Sequence, residues 1–270
     1  MTPDHFSNKT IGIIGGGHLG RALALSLISR DFPAQQLMLS YGGNPVTRRE
    51  LLEAGLESCI MDNPTICRQA DIIFLALRPQ SAVLLREFEF RNGTLVVSCM
   101  AGISTTMLSK TSGVPVIRMM PSGPATLLSH DGIVGIYPHN MLLEDILSFL
   151  GQHVHVMPDE ELMHVFTAGV CLPAAIRAAR SRGIDTERGI QQVIQEFPVV
   201  APIYSWAAAT IPRDESPQER EEYIRNMSTK AGITEAFVTC IRSGSDFSTA
   251  FHAAIDRSRT ISRDTEQVLI

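Results

Sequence analysis

The chain has 270 residues, 44% of them hydrophobic and 19% charged, with a net charge of −5. That is the composition of an ordinary globular protein with room for one large domain or two modest ones. It gives no basic patch for nucleic acid and no apolar run of membrane-spanning length, and the opening MTPDHFSNKT lacks an apolar signal region. The expectation is a cytoplasmic protein with no nucleic-acid or membrane partner. Five scattered cysteines without C-x-x-C spacing read as reduced thiols, with Cys99 and Cys240 as small core residues. Lysine is scarce, at Lys9, Lys110 and Lys230 only.

In chain order, an apolar strand at Ile11–Ile14 enters a glycine turn, and Leu19–Ile28 carries a helical pattern. Gly15, Gly17 and Gly20 have the G-x-G-x-x-G spacing. The first glycine permits the tight turn, the second lets backbone approach a pyrophosphate, and the third lets helix pack closely on strand. The helix start then offers N–H groups and positive dipole to phosphates. Leu19 opens that helix, and His18 sits in the turn as a possible donor to the nucleotide or as a spacer.

Gln36–Ser40 reads as a second strand, Arg48–Gly55 as a helix ending at glycine, and Leu56–Ile60 as a short strand before the turn Asp62-Asn63-Pro64. Continuous apolar strands follow at Ile72–Leu77, stopped by Pro79, and at 95–104, 116–125, 132–137 and 153–157. Such runs mean strands covered on both faces, as in a doubly wound parallel sheet. His153 and His155 share one face of the last strand, and two histidines without a third ligand make no metal site.

From Pro158 the pattern turns helical. Helices are read at Glu160–Thr167, at Leu172–Arg182 closed by Gly183, and from Asp185 to Phe197. Pro198 and Pro202 make the next segment irregular or kinked. Ser216-Pro217-Gln218-Glu219 is a capping box, and a last helix follows Asp246 with Phe247, Phe251, Ala254 and Ile255 on one face. The fold class is an α/β Rossmann-type N-terminal domain, 1–157, with a C-terminal all-helical domain, 158–270.

The second strand ends Ser40-Tyr41-Gly42-Gly43-Asn44, without the acid that NAD sites place on the ribose. Ser40, with Arg48 or Arg49, can instead meet a phosphate, which favours NADPH over NADH.

Several segments together resemble the pyrroline-5-carboxylate reductase family. They are the GGGHLG turn (family GGGNMA), Asp62-Asn63 (DN), Ala76-Leu77-Arg78-Pro79-Gln80 (AVKPQ), and Ser98 to Ser104 (SIAAGIS). They continue with Ile117 to Ala125 (VRVMPNTPA) and Glu160 to Ala168 (EELMDAVTA), in order over almost the whole chain. The resemblance implies reduction of a small cyclic imine by NADPH, as in proline synthesis. It also implies a helical domain that forms a dimer or larger homo-oligomer. The implied cofactor residues are Gly15, Gly17, His18, Leu19, Gly20, Ser40, Arg48, Asn63 (on the adenosine ribose), Ala76, Leu77, Arg78, Pro79, Met100 and Ala101. Thr229 to Thr234 matches the family's SPGGTT, so Thr234 is the implied hydroxyl near the imine nitrogen. Gly232 and Ile233 are the implied anion-binding turn, and Lys230 replaces proline beside the carboxylate pocket.

Departures gather on the substrate side. SGSGPA becomes Gly169-Val170-Cys171-Leu172-Pro173-Ala174, PNTP becomes Pro121-Ser122-Gly123-Pro124, and the first glycine of SPGG becomes Ala231. They leave open a non-catalytic NADP(H)-binding sensor or partner protein. A β-hydroxyacid dehydrogenase would carry a catalytic lysine on the first helix of its second domain, and residues 160–229 contain none.

Overall fold

A computed structural model describes residues 6–211 and 216–269, with Val268 described by its backbone alone. The chain divides into two compact units. One comprises the described residues through Pro158 together with those from Asp264 onward, and the other is Asp159–Arg263.

The first unit is built on β1 (Ile11–Ile14), β2 (Leu37–Ser40), β3 (Ile72–Leu75), β4 (Leu95–Ser98), β5 (Val116–Pro121), β6 (Ile133–Tyr137) and β7 (His153–Val156). They form one sheet in the order β2-β1-β3-β4-β5-β6-β7. Strands β1 to β5 are parallel, β6 runs antiparallel to β5, and β7 runs parallel to β6. The sheet is therefore mostly, not wholly, parallel. The reversal follows from the β5–β6 connection. A parallel return needs a crossover of about a dozen residues or more. Here Ser122 to Gly132 hold only one short helix, and Ser122 N donates to the Ile133 carbonyl across it.

Helices α1 (His18–Ser29), α2 (Pro45–Glu53), α3 (Asn63–Gln69), α4 (Thr105–Ser112), α5 (Pro124–Ser129) and α6 (Met141–Phe149) cover the sheet, with a 3-10 segment at Pro79–Glu87. Alternate residues of the inner strands point into two separate cores. Ile13, Phe74 and Val97 join Leu23 and Leu27 of α1, while Ile14, Ile73 and Val96 join Ile66 and Leu85. This two-sided cover explains the continuous apolar runs of β1, β3 and β4. The edge strand β7 departs from it, with His153 exposed and Val156 39% exposed.

Some elements differ from the sequence expectation. Leu56–Ile60 is no strand: Glu57–Cys59 is a 3-10 turn, and a single bridge joins Ile60 to Leu39. Seven strands result instead of eight. Asp62-Asn63-Pro64 is the start of α3, with the Asp62 side chain accepting from Thr65 N and Pro64 in the first turn, where no helical N–H is needed. Helix α2 begins three residues before Arg48 because Asn44 caps it and Pro45 occupies its first position.

The second unit is helical, and among its described residues there is no strand. It holds α7 (Leu162–Gly169), α8 (Leu172–Arg180), α9 (Thr186–Glu196), α10 (Val200–Thr210), α11 (Pro217–Met227), α12 (Ile233–Arg242) and α13 (Phe247–Leu269), whose last turns belong to the first unit. Asp185 caps α9, and the Ser216–Glu219 capping box starts α11. The irregularity expected at Pro198 and Pro202 is confined to Phe197–Val199, and Pro202 lies in the first turn of α10. Phe237 of α12 packs on Phe247 and Phe251 of α13 at centroid distances of 5.4 and 5.7 Å. Among the described residues no single helix is long and apolar enough to cross a membrane.

His252 of α13 pairs with Glu196 of α9, Nε2 to Oε1 at 3.0 Å. Burial pulls its pKa down, but bonds to the Glu196 carboxylate and the Ser248 carbonyl outweigh that, so the pKa lies above its ordinary value. The pairing therefore stabilises fully below the ordinary histidine range and is lost as pH rises through the raised value. As pH rises from below the ordinary histidine range to above the raised value, the wild type should lose thermal stability relative to His252→Gln, as read by calorimetry.

Candidate functional site

The glycine turn is fixed by three close approaches at the carboxyl ends of β1, β2 and β3. Gly15 has φ +109°, and a Cβ there would sit 2.6 Å from the Ala76 carbonyl oxygen. A Cβ at Gly20 would overlap the Gly15 carbonyl oxygen. Ser40 Oγ accepts from Gly15 N at 3.3 Å. Gly15 and Gly20 are thus demanded by the fold itself.

Gly17 is different. Its φ is −67°, and a Cβ there would meet nothing within 4 Å. No atom of the described residues excludes a side chain at this position, so the space beside it is a cradle that a Cβ would partly fill. Gly17 is also the N-cap of α1, which has no side-chain cap and no acid in its first turn. Its N–H groups remain for an anion. His18 and Gly17 are exposed, and Leu19 is half-buried beside them.

The neighbouring hollow, about 450 Å³, is lined by Ser40 to Gly43 and by Ile60 to Pro64. Asn63 Oδ1 is buried in the protein without a hydrogen-bond partner. Asp62, the acid on this wall, turns its carboxylate into the cap of α3, 2.7 Å from Thr65 N. Those bonds hold it below the ordinary carboxylate range. The Gly17 cradle, the uncapped helix and the orphan acceptor of Asn63 fit a dinucleotide, pyrophosphate on α1 and adenosine in the hollow.

Other expected cofactor residues fall on the same rim of the sheet. Ala76 and Leu77 follow β3 and are half-buried, Arg78 is exposed, and Pro79 opens the 3-10 segment. Met100 and Ala101 follow β4, and Met100 N is bonded to Ser98 Oγ at 3.2 Å. Ser40 is buried and already bonded to the glycine turn, whereas Arg48 is exposed on α2.

A residue missed in the sequence supports this rim. Glu266 of α13 accepts from Ser104 N and Oγ at 2.9 and 2.6 Å, at the cap of α4 just beyond Met100–Gly102. A contact across 162 residues leaves no local signal.

In the second unit, Gly232 is the N-cap of α12 without a side-chain cap. A Cβ on it would lie 2.8 Å from the Thr229 carbonyl oxygen. Ala231 has a left-handed backbone, at φ +56°. Its carbonyl accepts from Arg257 Nε at 2.9 Å, and its N–H donates to Glu235 Oε2 at 2.6 Å. This turn therefore carries a resident carboxylate, Glu235, three residues into the helix. The Gly-x-x-Glu spacing was the sequence signal for it. Ile233 and Thr234 are buried, and Lys230 is exposed beside Arg225 and Arg242 along a hollow of about 450 Å³. Thr234 Oγ1 donates to Cys171 Sγ at 3.2 Å. Burial pushes the Cys171 thiol up to about 11, against the smaller opposing effect of the Thr234 bond. Burial likewise lifts Cys99 to about 12, so it is an inert core residue.

The glycine turn, the uncapped start of α1 and the hollow beyond the end of β2 define a dinucleotide-binding protein of Rossmann type. A family model described as NADP oxidoreductase, coenzyme F420-dependent, matches residues 10–102. Pyrroline-5-carboxylate reductase of Haemophilus influenzae is 26% identical over 96% of this chain and 98% of its own. That of Corynebacterium melassecola is 27% identical over 94% and 99%. The solved Plasmodium falciparum pyrroline carboxylate reductase with NADP bound shares the fold, with TM-score 0.59, 18% identity and coverage of 95% and 99%. The chain is thus similar to pyrroline-5-carboxylate reductases over almost its whole length.

Two substitutions separate fold from ligand at the glycine turn. Gly20→Ala should cost about 3 kcal/mol of stability, read in urea unfolding. Gly17→Ala should leave the unfolding midpoint unchanged and weaken NADPH binding about tenfold or more in a fluorescence titration. At Ala231, relief of the left-handed strain predicts that Ala231→Gly stabilises the protein by about 1 kcal/mol in the same unfolding assay.

Proposed function

We propose that this protein is an NADPH-dependent reductase of a small cyclic imine bearing a carboxylate, pyrroline-5-carboxylate or a near relative. The observation that carries the reading is the open pyrophosphate cradle at Gly17 in the first unit, and the threonine hydroxyl at the start of α12 in the second unit agrees with it. Bound nicotinamide supplies hydride. Gly15, Gly17, His18, Leu19 and Gly20 hold the pyrophosphate side, Asn63 the adenosine ribose, and Ala76 to Pro79 with Met100 and Ala101 the remaining rim. The protein's own task is proximity and orientation rather than acid–base work. Thr234 hydrogen-bonds the imine nitrogen, while Gly232, Ile233 and Lys230 take the substrate carboxylate.

NADPH preference over NADH rests on the absence of an acid at the end of β2 and on the exposed Arg48. With Ser40 committed to the glycine turn, Arg48 is the stronger candidate for the additional phosphate. The family resemblance and the apolar helices of the second unit support a homodimer or larger homo-oligomer. The composition supports a cytoplasmic place, and the family resemblance supports proline synthesis or a related imine reduction.

One observation favours a second reading, a non-catalytic NADP(H)-binding sensor or partner. Glu235 already occupies the α12 N-terminus at Ala231 N, where a substrate carboxylate would otherwise be drawn.

An NADPH-oxidation assay over cyclic imines of different ring size and carboxylate position decides between them. The reductase reading expects turnover of a five-membered imine carboxylate that falls about tenfold or more in Thr234→Ala, and an Arg48→Ala enzyme that loses about tenfold in NADPH affinity but none in NADH affinity. Tight NADPH binding without turnover of any imine supports the sensor.

A further inference from the structure

Cys171 stands where the family's SGSGPA turn has lost its serines, and it lies against the one hydroxyl that the reductase reading uses. Three groups form a directed chain inside the second unit. Thr234 Oγ1 donates to Cys171 Sγ at 3.2 Å, and Cys171 Sγ donates to the Thr167 carbonyl oxygen at 3.3 Å. Thr167 and Cys171 lie at the junction of α7 and α8, and Thr234 lies in the first turn of α12. The polarity of the chain is fixed at its far end, because a carbonyl oxygen has no proton to give. The thiol proton is therefore committed to Thr167, the sulfur is left as an acceptor, and the Thr234 proton is committed to the sulfur. Cys171 is 6% exposed and Thr234 9%, so both groups are buried.

We propose that Cys171 is a positioning residue that makes the Thr234 hydroxyl a pure hydrogen-bond acceptor, so that the site takes the imine in its protonated, N–H form. The inference rests on the imine-reductase reading above. The thiol is held protonated, at about 11, over the whole working range, so the order does not change with pH near neutrality. The chemistry then balances without a protein acid. The iminium carbon gains the hydride, the C=N π pair becomes the nitrogen lone pair, and the N–H proton is already in place. The product is the neutral cyclic amine. The oxygen that accepted the iminium N–H accepts the amine N–H in turn.

The test uses the full chain with NADPH and the five-membered imine carboxylate, in Cys171→Ala and Cys171→Ser. Serine can repeat both bonds of the thiol, and alanine can make neither. Cys171→Ala should lose about tenfold in kcat with an unchanged NADPH dissociation constant, while Cys171→Ser stays within about twofold of the wild type. An independent readout needs no turnover. The infrared S–H stretch of Cys171, assigned by its loss in Cys171→Ser, should shift in Thr234→Val without nucleotide. A Cys171→Ala enzyme as fast as wild type, or an S–H band unmoved in Thr234→Val, overturns the inference alone. A wild type that reduces no cyclic imine overturns the underlying reading and this inference with it.

Discussion

The first unit depends on how closely α1 can start against β1. The absence of a side chain at Gly20 is what allows the Gly15 carbonyl to sit where a Cβ would be. That one approach sets the direction of α1, and with it the direction in which its free N–H groups point. Two neighbours flank the other side of the turn: the Ala76 carbonyl beyond β3 occupies the space a Cβ on Gly15 would need, and the Ser40 hydroxyl at the end of β2 accepts the Gly15 N–H. Three adjacent strand ends are therefore tied to one residue. The crevice between their loops lies where the chain passes from one side of β1 to the other, the place where open α/β sheets bind ligands.

The turn at the start of α12 uses the same physics under a different constraint. It too has a glycine cap with no side chain to satisfy the first N–H groups, and it too is tightened by a close backbone approach, here to the Thr229 carbonyl. Unlike α1, it carries its own anion. Glu235 takes the Ala231 N–H and complements the helix dipole, while Arg257 takes the Ala231 carbonyl. The strained Ala231 is held from both ends of its peptide groups, which is how a non-glycine residue persists in a left-handed conformation. The hollow alongside carries both signs of charge, with Lys230 and Arg225 beside Glu235.

Legibility in the sequence followed the range of each interaction. The inner strands were readable because burial on both faces leaves unbroken apolar runs, and the caps at Asp185 and Ser216 because they act within three residues. Leu56–Ile60 misled because Leu56 and Cys59 are both buried. A 3-10 turn brings residues three apart to one side, and in five residues that pattern is not separable from a strand. Pro64 read as a turn residue although the first helical turn has no use for its N–H. The antiparallel β6 was hidden because strand direction depends on whether a connection can span the sheet, not on the strand's own residues. At the site, the glycine turn was fully local. The Thr234–Cys171 and Ser104–Glu266 contacts join residues 63 and 162 apart, and nothing in either segment announces the other.

The same distinction accounts for where the chain departs from the pyrroline-5-carboxylate reductase motifs it resembles. The demands on Gly15 and Gly20 are steric, set by backbone atoms that cannot give way, and only glycine meets them. The demands around α12 are for a hydrogen-bond acceptor, a tight turn and a compensating charge. Each of those has more than one chemical solution. A thiol can take over from a hydroxyl because both donate once and accept as well. Alanine can replace glycine at positive φ where neighbours hold its N–H and carbonyl, at a cost in strain. A carboxylate can settle at a helix start because the dipole favours it. Substitution therefore collects on the side where interactions are directional but interchangeable, and the altered motifs around Thr234 are compatible with an intact hydroxyl there.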